Sequence, residues 1–301
     1  MKKLFTVGIL LLMVAPVFAC DICGCSSGND FLGPFPQFKK HFFGVRYSIR
    51  NYESHMAMDG EEFSKDFYQS AELWGGWNIG KKWQVLVFVP FSVNKQTSDD
   101  GGKSTHGLGD MIFIVNRKVL DKRHTDDEGN RYSQQLWIGG GAKLPTGKFS
   151  PDELEIIPDA NNQPGTGSVD FILNAMYTLH INDWGINSNV NYKINQPAKD
   201  FRFGNRFDAS AFAFRSFANK RGTITLNPNA GLMFNHLDAN TLTSYKIENT
   251  GGNALLGAIG LEMNFAKMAI GVNAQLPLSQ NLSNHQTSPN LQGMMHVSFL
   301  F

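Results

Sequence analysis

From Phe42 to Phe301 the chain reads as a succession of short segments in which apolar and polar residues alternate one by one. Successive side chains of a strand face opposite sides, so each such segment presents one apolar face. Phe43, Val45, Tyr47 and Ile49 alternate with Arg46, Ser48 and Arg50. Trp83, Val85, Val87, Val89, Phe91 and Val93 repeat the pattern, and Leu136, Ile138, Gly140, Ala142 and Leu144 stand opposite Gln135 and Lys143. Val169, Phe171, Leu173, Ala175, Tyr177 and Leu179 oppose Asp170 and Asn174. Ile186, Ser188, Val190, Tyr192 and Ile194 oppose Asn187, Asn189, Asn191 and Lys193. The runs from Ile224 to Phe234, Met268 to Leu276 and Leu291 to Phe301 behave alike. There are about twelve segments, each near the roughly ten residues that a tilted strand needs to cross a bilayer. Segments 67–78, 108–119, 205–217 and 252–264 alternate less clearly, because their small residues blur which face is which.

A soluble β-sandwich also alternates, but it tends to set large aliphatics against charged residues. Here the face opposite the aliphatics is mostly Asn, Gln, Ser and Gly. The expected fold is therefore all-β, a transmembrane antiparallel β-barrel of about twelve strands whose polar face lines a small or plugged lumen. Composition agrees: the chain holds 30 Gly, 24 Phe, 7 Tyr and 5 Trp. The formal net charge of +1 removes the electrostatic case for nucleic acid.

The amino terminus fixes the expected compartment. Met1 is followed by Lys2 and Lys3, the mostly apolar run Leu4 to Phe18, and Ala19 before a cleavage point. That is a secretory signal over residues 1–19, too short in its apolar part for a spanning helix. Residues 20–41 read as a periplasmic Cys-containing segment or plug, and 42–301 as the barrel. An exported barrel belongs in the outer membrane of a Gram-negative cell.

Connection lengths give a second reading of the topology. With the mature amino terminus in the periplasm, odd connections should be long and external, even ones short. The odd ones, 52–66, 96–106, 146–165, 196–204, 236–250 and 279–288, are long and polar. The even ones are short at 80–82, 181–183, 218–222 and 266–267, whereas 120–133 is long where a short turn is expected.

All three cysteines fall in Cys20-Asp21-Ile22-Cys23-Gly24-Cys25. Three readings stand open: lipidation of Cys20, a disulfide between two of the three, or a soft metal ion held by Cys20, Cys23 and Cys25. No other cofactor is expected. Candidate lumen-facing charges are Arg46, Arg50, Glu72, Lys143, Asp170, Lys193, Arg215 and Glu262. Their mixed signs point to internal salt bridges rather than a strongly ion-selective pore, since lipid-facing Arg or Lys near the midplane costs roughly 2–4 kcal/mol.

Three glycine-centred phrases follow in order: Gly107-Leu108-Gly109-Asp110, Lys143-Leu144-Pro145-Thr146-Gly147 and Gly165-Thr166-Gly167-Ser168-Val169-Asp170. Their order and spacing resemble the outer-membrane "transporter" barrels related to the meta-pathway phenol-degradation proteins, over roughly residues 42–301. The resemblance implies a channel or transporter for small, often apolar, molecules. Physically, Gly and Pro punctuate strand ends, and Asp110 and Asp170 are expected to bond backbone amides in tight loops rather than hold an ion. Phe301, closing an alternating strand, resembles the carboxy-terminal signal read by the barrel-insertion machinery. Expected partners are thus outer-membrane lipid, that machinery and a small-molecule solute. A second reading is a structural or metal-handling protein whose barrel anchors the Cys segment. No enzyme is expected: outer-membrane phospholipases set a His with Ser and Asn partners facing lipid, whereas His296 alternates onto the lumen side.

Overall fold

The computed structural model describes residues 40–58, 60–98, 101–150 and 159–301. The signal over 1–19 and almost all of segment 20–41 lie outside the described residues. Strands β1 (Phe42–Met58), β2 (Gly60–Ile79) and β3 (Trp83–Ser98) form a meander. The next stave is interrupted at Gly109–Asp110 into β4 (Gly101–Leu108) and β5 (Met111–Thr125), both paired with β3. Then come β6 (Arg131–Leu144), β7 (Asp170–Ile181) and β8 (Trp184–Ile194). The short β9 (Phe201–Arg202) precedes β10 (Arg206–Arg215), which β11 (Phe217–Ala218) extends. The stave β12 (Ile224–Leu237) is followed by the short β13 (Thr241–Leu242) and β14 (Tyr245–Lys246). The last staves are β15 (Gly252–Phe265), β16 (Met268–Leu282) and the pair β17 (Thr287–Pro289) and β18 (Gln292–Leu300).

Every stave is antiparallel to its neighbours, and β1 pairs with β18 from Phe42↔Leu300 to Ile49↔Gly293, closing a ring of 12 strands. Closure leaves no bare edge, the condition for strands to sit in hydrocarbon. Among the described residues no helix is long and apolar enough to cross a membrane.

The outer surface carries the apolar face. Phe43, Val45, Leu73, Phe171, Leu173, Ile259, Val272, Leu276, Met295 and Phe299 are all exposed. Trp77, Trp83, Trp184, Phe217 and Phe301 ring the end at which the short turns lie, an aromatic girdle of the kind that marks a membrane–water boundary. The staves whose facing the sequence left open settle as follows. Tyr68, Glu72 and Trp74 point inward from β2, Ile112, Ile114 and Asn116 from β5, Phe212 and Phe214 from β10, and Ala254, Leu256, Ala258 and Glu262 from β15.

Several connections are not loops. Segment 52–66 is occupied by the continued ladder of β1 and β2, paired from Tyr52↔Asp66 out to Met58↔Gly60. Segment 96–106 likewise continues β3 into β4, from Gln96↔Lys103 to Ser98↔Gly101. The anomalous segment 120–133 is a hairpin extension: after a register shift between Lys118 and Leu120, pairing runs from Leu120↔Leu136 to Thr125↔Arg131. In 52–66 the buried inward residues include the polar Ser54, Ser64 and Asp66, which conceal the strand's inner face. In 96–106 and 120–133 most side chains on both faces are exposed, and a strand surrounded by water has no reason to alternate.

The tip of that last hairpin is held by Asp126, whose Oδ1 accepts from the amides of Glu128 (3.1 Å) and Asn130 (2.7 Å). Bonding to Asn130 holds this carboxyl below the usual carboxylate range. A depressed folded-state pKa means the interaction is present above the unfolded value, near 3.9, and fades as pH falls through the folded one. Asp126→Ala should therefore accelerate amide exchange at Glu128 and Asn130 at pH 7. The wild-type protein should approach the variant's rates, compared at equal pH, only as pH falls below the unfolded value and through the depressed folded-state one; equal exchange in the two proteins at neutral pH would remove this role.

Candidate functional site

The inner wall is where chemistry can occur, and it divides into two halves along the barrel axis. In the half near the short turns, Phe42, Trp74, Leu86, Phe88, Ile112, Ile114, Trp137, Ile172, Met176 and Leu300 pack into one apolar cluster. The sequence hid this lining because its strands are apolar on both faces: Leu86 and Phe88 sit between Val85, Val87 and Val89, so no alternation marks them.

An ion pair and a carboxylate–histidine contact border this cluster. Arg46 lies 2.5 Å from Glu72, its cross-strand neighbour, and its guanidinium stands 5.5 Å from the Trp74 ring centroid and 5.6 Å from that of Phe88. Both charges are thus balanced within the wall, with a cation–π contribution. Across the β16 stave, Glu262 Oε2 lies 3.0 Å from His296 Nε2, and His296 meets Trp74 edge-on at 5.6 Å. Gly271 separates the two on β16; a Cβ there would collide with both side chains.

A second knot unites the three glycine phrases. Lys143 is 1 % exposed and lies 3.1 Å from Asp110 and 2.5 Å from Asp170. Lys143 Nζ also donates to Thr166 Oγ1, and Thr166 donates in turn through its hydroxyl (2.7 Å) and amide (2.9 Å) to Asp110 Oδ2. Asp110 Oδ1 accepts from the Gly147 amide (2.9 Å). Asp170 Oδ1 accepts from Ser168 Oγ (2.8 Å) and the Gln196 amide (2.9 Å). The backbones of Gly147 and Gly165 cross so closely that a Cβ on Gly165 would stand 2.5 Å from the Gly147 carbonyl carbon. The phrases are thus one structure: a buried cation and two carboxylates lock the β6–β7 connection onto the loop end of β5 and β7.

Beyond the knot, that connection enters the lumen. The short helix α1 (Asp159–Asn162) has Ala160, Asn161 and Asn162 buried, and the Asn162 carbonyl accepts from Asn94 Nδ2 (3.0 Å) and Thr105 Oγ1. Ala160 packs with Phe201 and Phe203, with Phe149 and Ile247 against them, while β9, β13 and β14 form a small sheet beside this cluster.

Of the remaining candidate charges, Arg50 and Lys193 are buried on the inner wall. Arg215, expected to face the lumen, points outward. Its guanidinium stands 5.2 Å from the Trp184 ring and 5.0 Å from Phe217 in the aromatic girdle. Ala211 and Ala213 share its face while Phe212 and Phe214 fill the inside, so the larger residues of this stave are internal. At the interface an outward arginine costs only about 0–1 kcal/mol. Cys20, Cys23 and Cys25 lie outside the described residues, and among the described residues no group of three or more His, Cys, Asp or Glu is placed to hold a metal ion.

The loop half of the lumen contains a cavity of about 60 Å³ between β1, β8, β10, β12, β15, β16 and β18. Arg50, Arg206 and Asp208 line it, with the amides of Asn191, Asn235 and Gln275. Arg206 Nε donates to both Asp208 carboxylate oxygens at 2.8 Å, so that pair is self-balanced.

A closed ring of membrane-length strands, apolar and girdled by aromatics outside, polar and ion-paired inside, defines a β-barrel of the outer membrane. In such barrels the short turns lie on the periplasmic side. No protein-family model and no curated protein sequence matches the chain. Among solved structures it is similar to an outer membrane channel from Pseudomonas putida F1, with a TM-score of 0.58 at 14% identity over 91% of this chain and 100% of that one. The beta domain of the Bordetella autotransporter BrkA follows with a TM-score of 0.49 at 10% identity over 87% and 100%. The likeness to the channel is one of fold.

Proposed function

We propose that this barrel is a passive outer-membrane channel for small solutes. The carrying observation is the cavity inside the ring, lined by amide and charged side chains, with the apolar cluster around Trp74, Phe88 and Trp137 further along the lumen toward the short turns. A polar compartment in series with an apolar one suits small molecules that carry both characters, including largely apolar ones, better than bulk ions. The likeness in fold to a Pseudomonas outer membrane channel supports the reading, as do the three glycine phrases, which resemble those of the phenol-degradation transporters. In the same reading the lumen charges Arg46, Glu72, Lys143, Asp170 and Glu262 are wall fasteners, and Phe301 is the contact offered to the insertion machinery.

Liposome swelling with solutes graded in polarity tests the proposal. Small uncharged and mixed-character solutes should enter faster than into protein-free vesicles. Trp137→Ala, which removes the largest side chain facing β5 and β7 in the apolar cluster, should raise the rate severalfold. Swelling no faster than in empty vesicles, for both proteins, would overturn the channel reading.

A further inference from the structure

We infer that the lumen cavity is a binding site for a small organic monocarboxylate, with Arg50 as its anchor. The inference rests on the channel reading and names the solute class. Arg50 projects inward from β1 and is 7 % exposed. An arginine keeps its charge at any physiological pH, and a buried cation without a partner is costly. The other cations discussed on the inner wall have a balancing or interacting group: Arg46 has Glu72, Lys143 has Asp110 and Asp170, Arg206 has Asp208, and Lys193 too is engaged. Arg50 has none. Its Nε is buried with no hydrogen-bond partner, and Asp66, two residues from its cross-strand neighbour Tyr68, forms no ion pair with it. A guanidinium left in this state beside an open cavity is a fork awaiting two oxygens on one carbon.

The cavity's other walls specify the rest of the ligand. Its charged lining residues are Arg50, Arg206 and Asp208, a net charge of +1 (two cations less one anion), which matches a monoanion and disfavours a dianion. Asn191, Asn235 and Gln275 offer donors and acceptors to hydroxyl groups, and Met233, Leu256 and Met294 offer an apolar side to a carbon skeleton. A water needs roughly 10–15 Å³ on the same measure, so the space admits about four to six water-sized groups. That is the size of a three-carbon hydroxy acid. Such a molecule combines the two characters that the polar and apolar compartments present in turn.

Calorimetric titration of the purified full chain in detergent micelles, with lactate and with its uncharged counterpart lactamide, tests the site without requiring conduction. Lactate should bind more tightly than lactamide. Arg50→Met should weaken lactate by roughly tenfold or more, the loss expected for a bond to a charged group, and leave lactamide unchanged. Asp208→Asn, which frees Arg206, should strengthen lactate binding and serves as a second variant should Arg50→Met fail to run as a folded barrel on unheated gels. Equal lactate affinity in the wild type and Arg50→Met, or lactate bound no better than lactamide, overturns the site. Lactate binding that depends on Arg50 in a protein that swells no vesicles upholds the site and overturns the channel instead.

Discussion

Lys143→Met is expected to lower the stability of the folded barrel by about 3–5 kcal/mol, the loss that follows when one partner of a buried ion pair is removed. The size comes from what remains behind. Asp110 and Asp170 would be left beside each other at the loop end of the wall, each nearly inaccessible to water, with the cation that lies 3.1 Å from one and 2.5 Å from the other gone. Their amide and hydroxyl donors from Gly147, Thr166, Ser168 and Gln196 remain, but they neutralise no charge. Urea unfolding followed by the heat-modified gel shift reads the change directly. The triple variant Lys143→Met, Asp110→Asn, Asp170→Asn should recover most of the loss, since an uncharged knot leaves no carboxylate uncompensated. A urea midpoint unchanged by Lys143→Met alone would show that the knot does not fasten the wall.

Leu73→Arg should cost roughly 2–4 kcal/mol by a different route. Leu73 is 60 % exposed on the outside of β2, flanked across the ladder by Val45 and Val89, in the middle of the apolar belt. A guanidinium there has only hydrocarbon around it, and the interface is several residues away in either direction. Arg215→Leu, at an outward position already inside the girdle, should change stability by less than about 1 kcal/mol. Folding into lipid vesicles with urea titration measures both. If Leu73→Arg proves as stable as Arg215→Leu, then β2 does not face lipid, and the assignment of inside and outside fails for the whole ring.

The contrast between these two arginine positions also shows what was legible in the sequence. Where aliphatics alternate with Asn, Gln or Ser, as along β8 and β16, the sequence dictates facing because lipid accepts only one of the two sets. In β10 the outward set is Phe207, Ala209, Ala211 and Ala213, and the inward set includes Phe212 and Phe214. Lipid accepts either, so packing inside the lumen decides, and no pattern records it. The apolar lumen cluster escaped for the same reason. The ladders at 96–106 and 120–133 escaped because most of their side chains stand in water on both faces, where alternation carries no free-energy benefit. Asp110, Lys143 and Asp170 stood out as chain punctuation. Their meeting at one point is a property of the ring: β5, β6 and β7 are consecutive staves, and the three residues lie at one height on them. Arg50 could be placed on the inner face from its neighbours alone, but that it meets no counter-charge among the described residues depends on where their carboxylates lie.

The seam between β1 and β18 has a consequence for biogenesis. Phe42 meets Leu300, so the first stave waits for almost the entire chain before its outer ladder can form. Contacts at such sequence separation form slowly, and until they form two unsatisfied strand margins stay available to other chains. A nascent polypeptide of this design cannot mature progressively from its beginning, as a helical repeat can. Its strand margins stay open until the ring closes, and the nine-residue strand β18 is the clasp that ends the vulnerable interval.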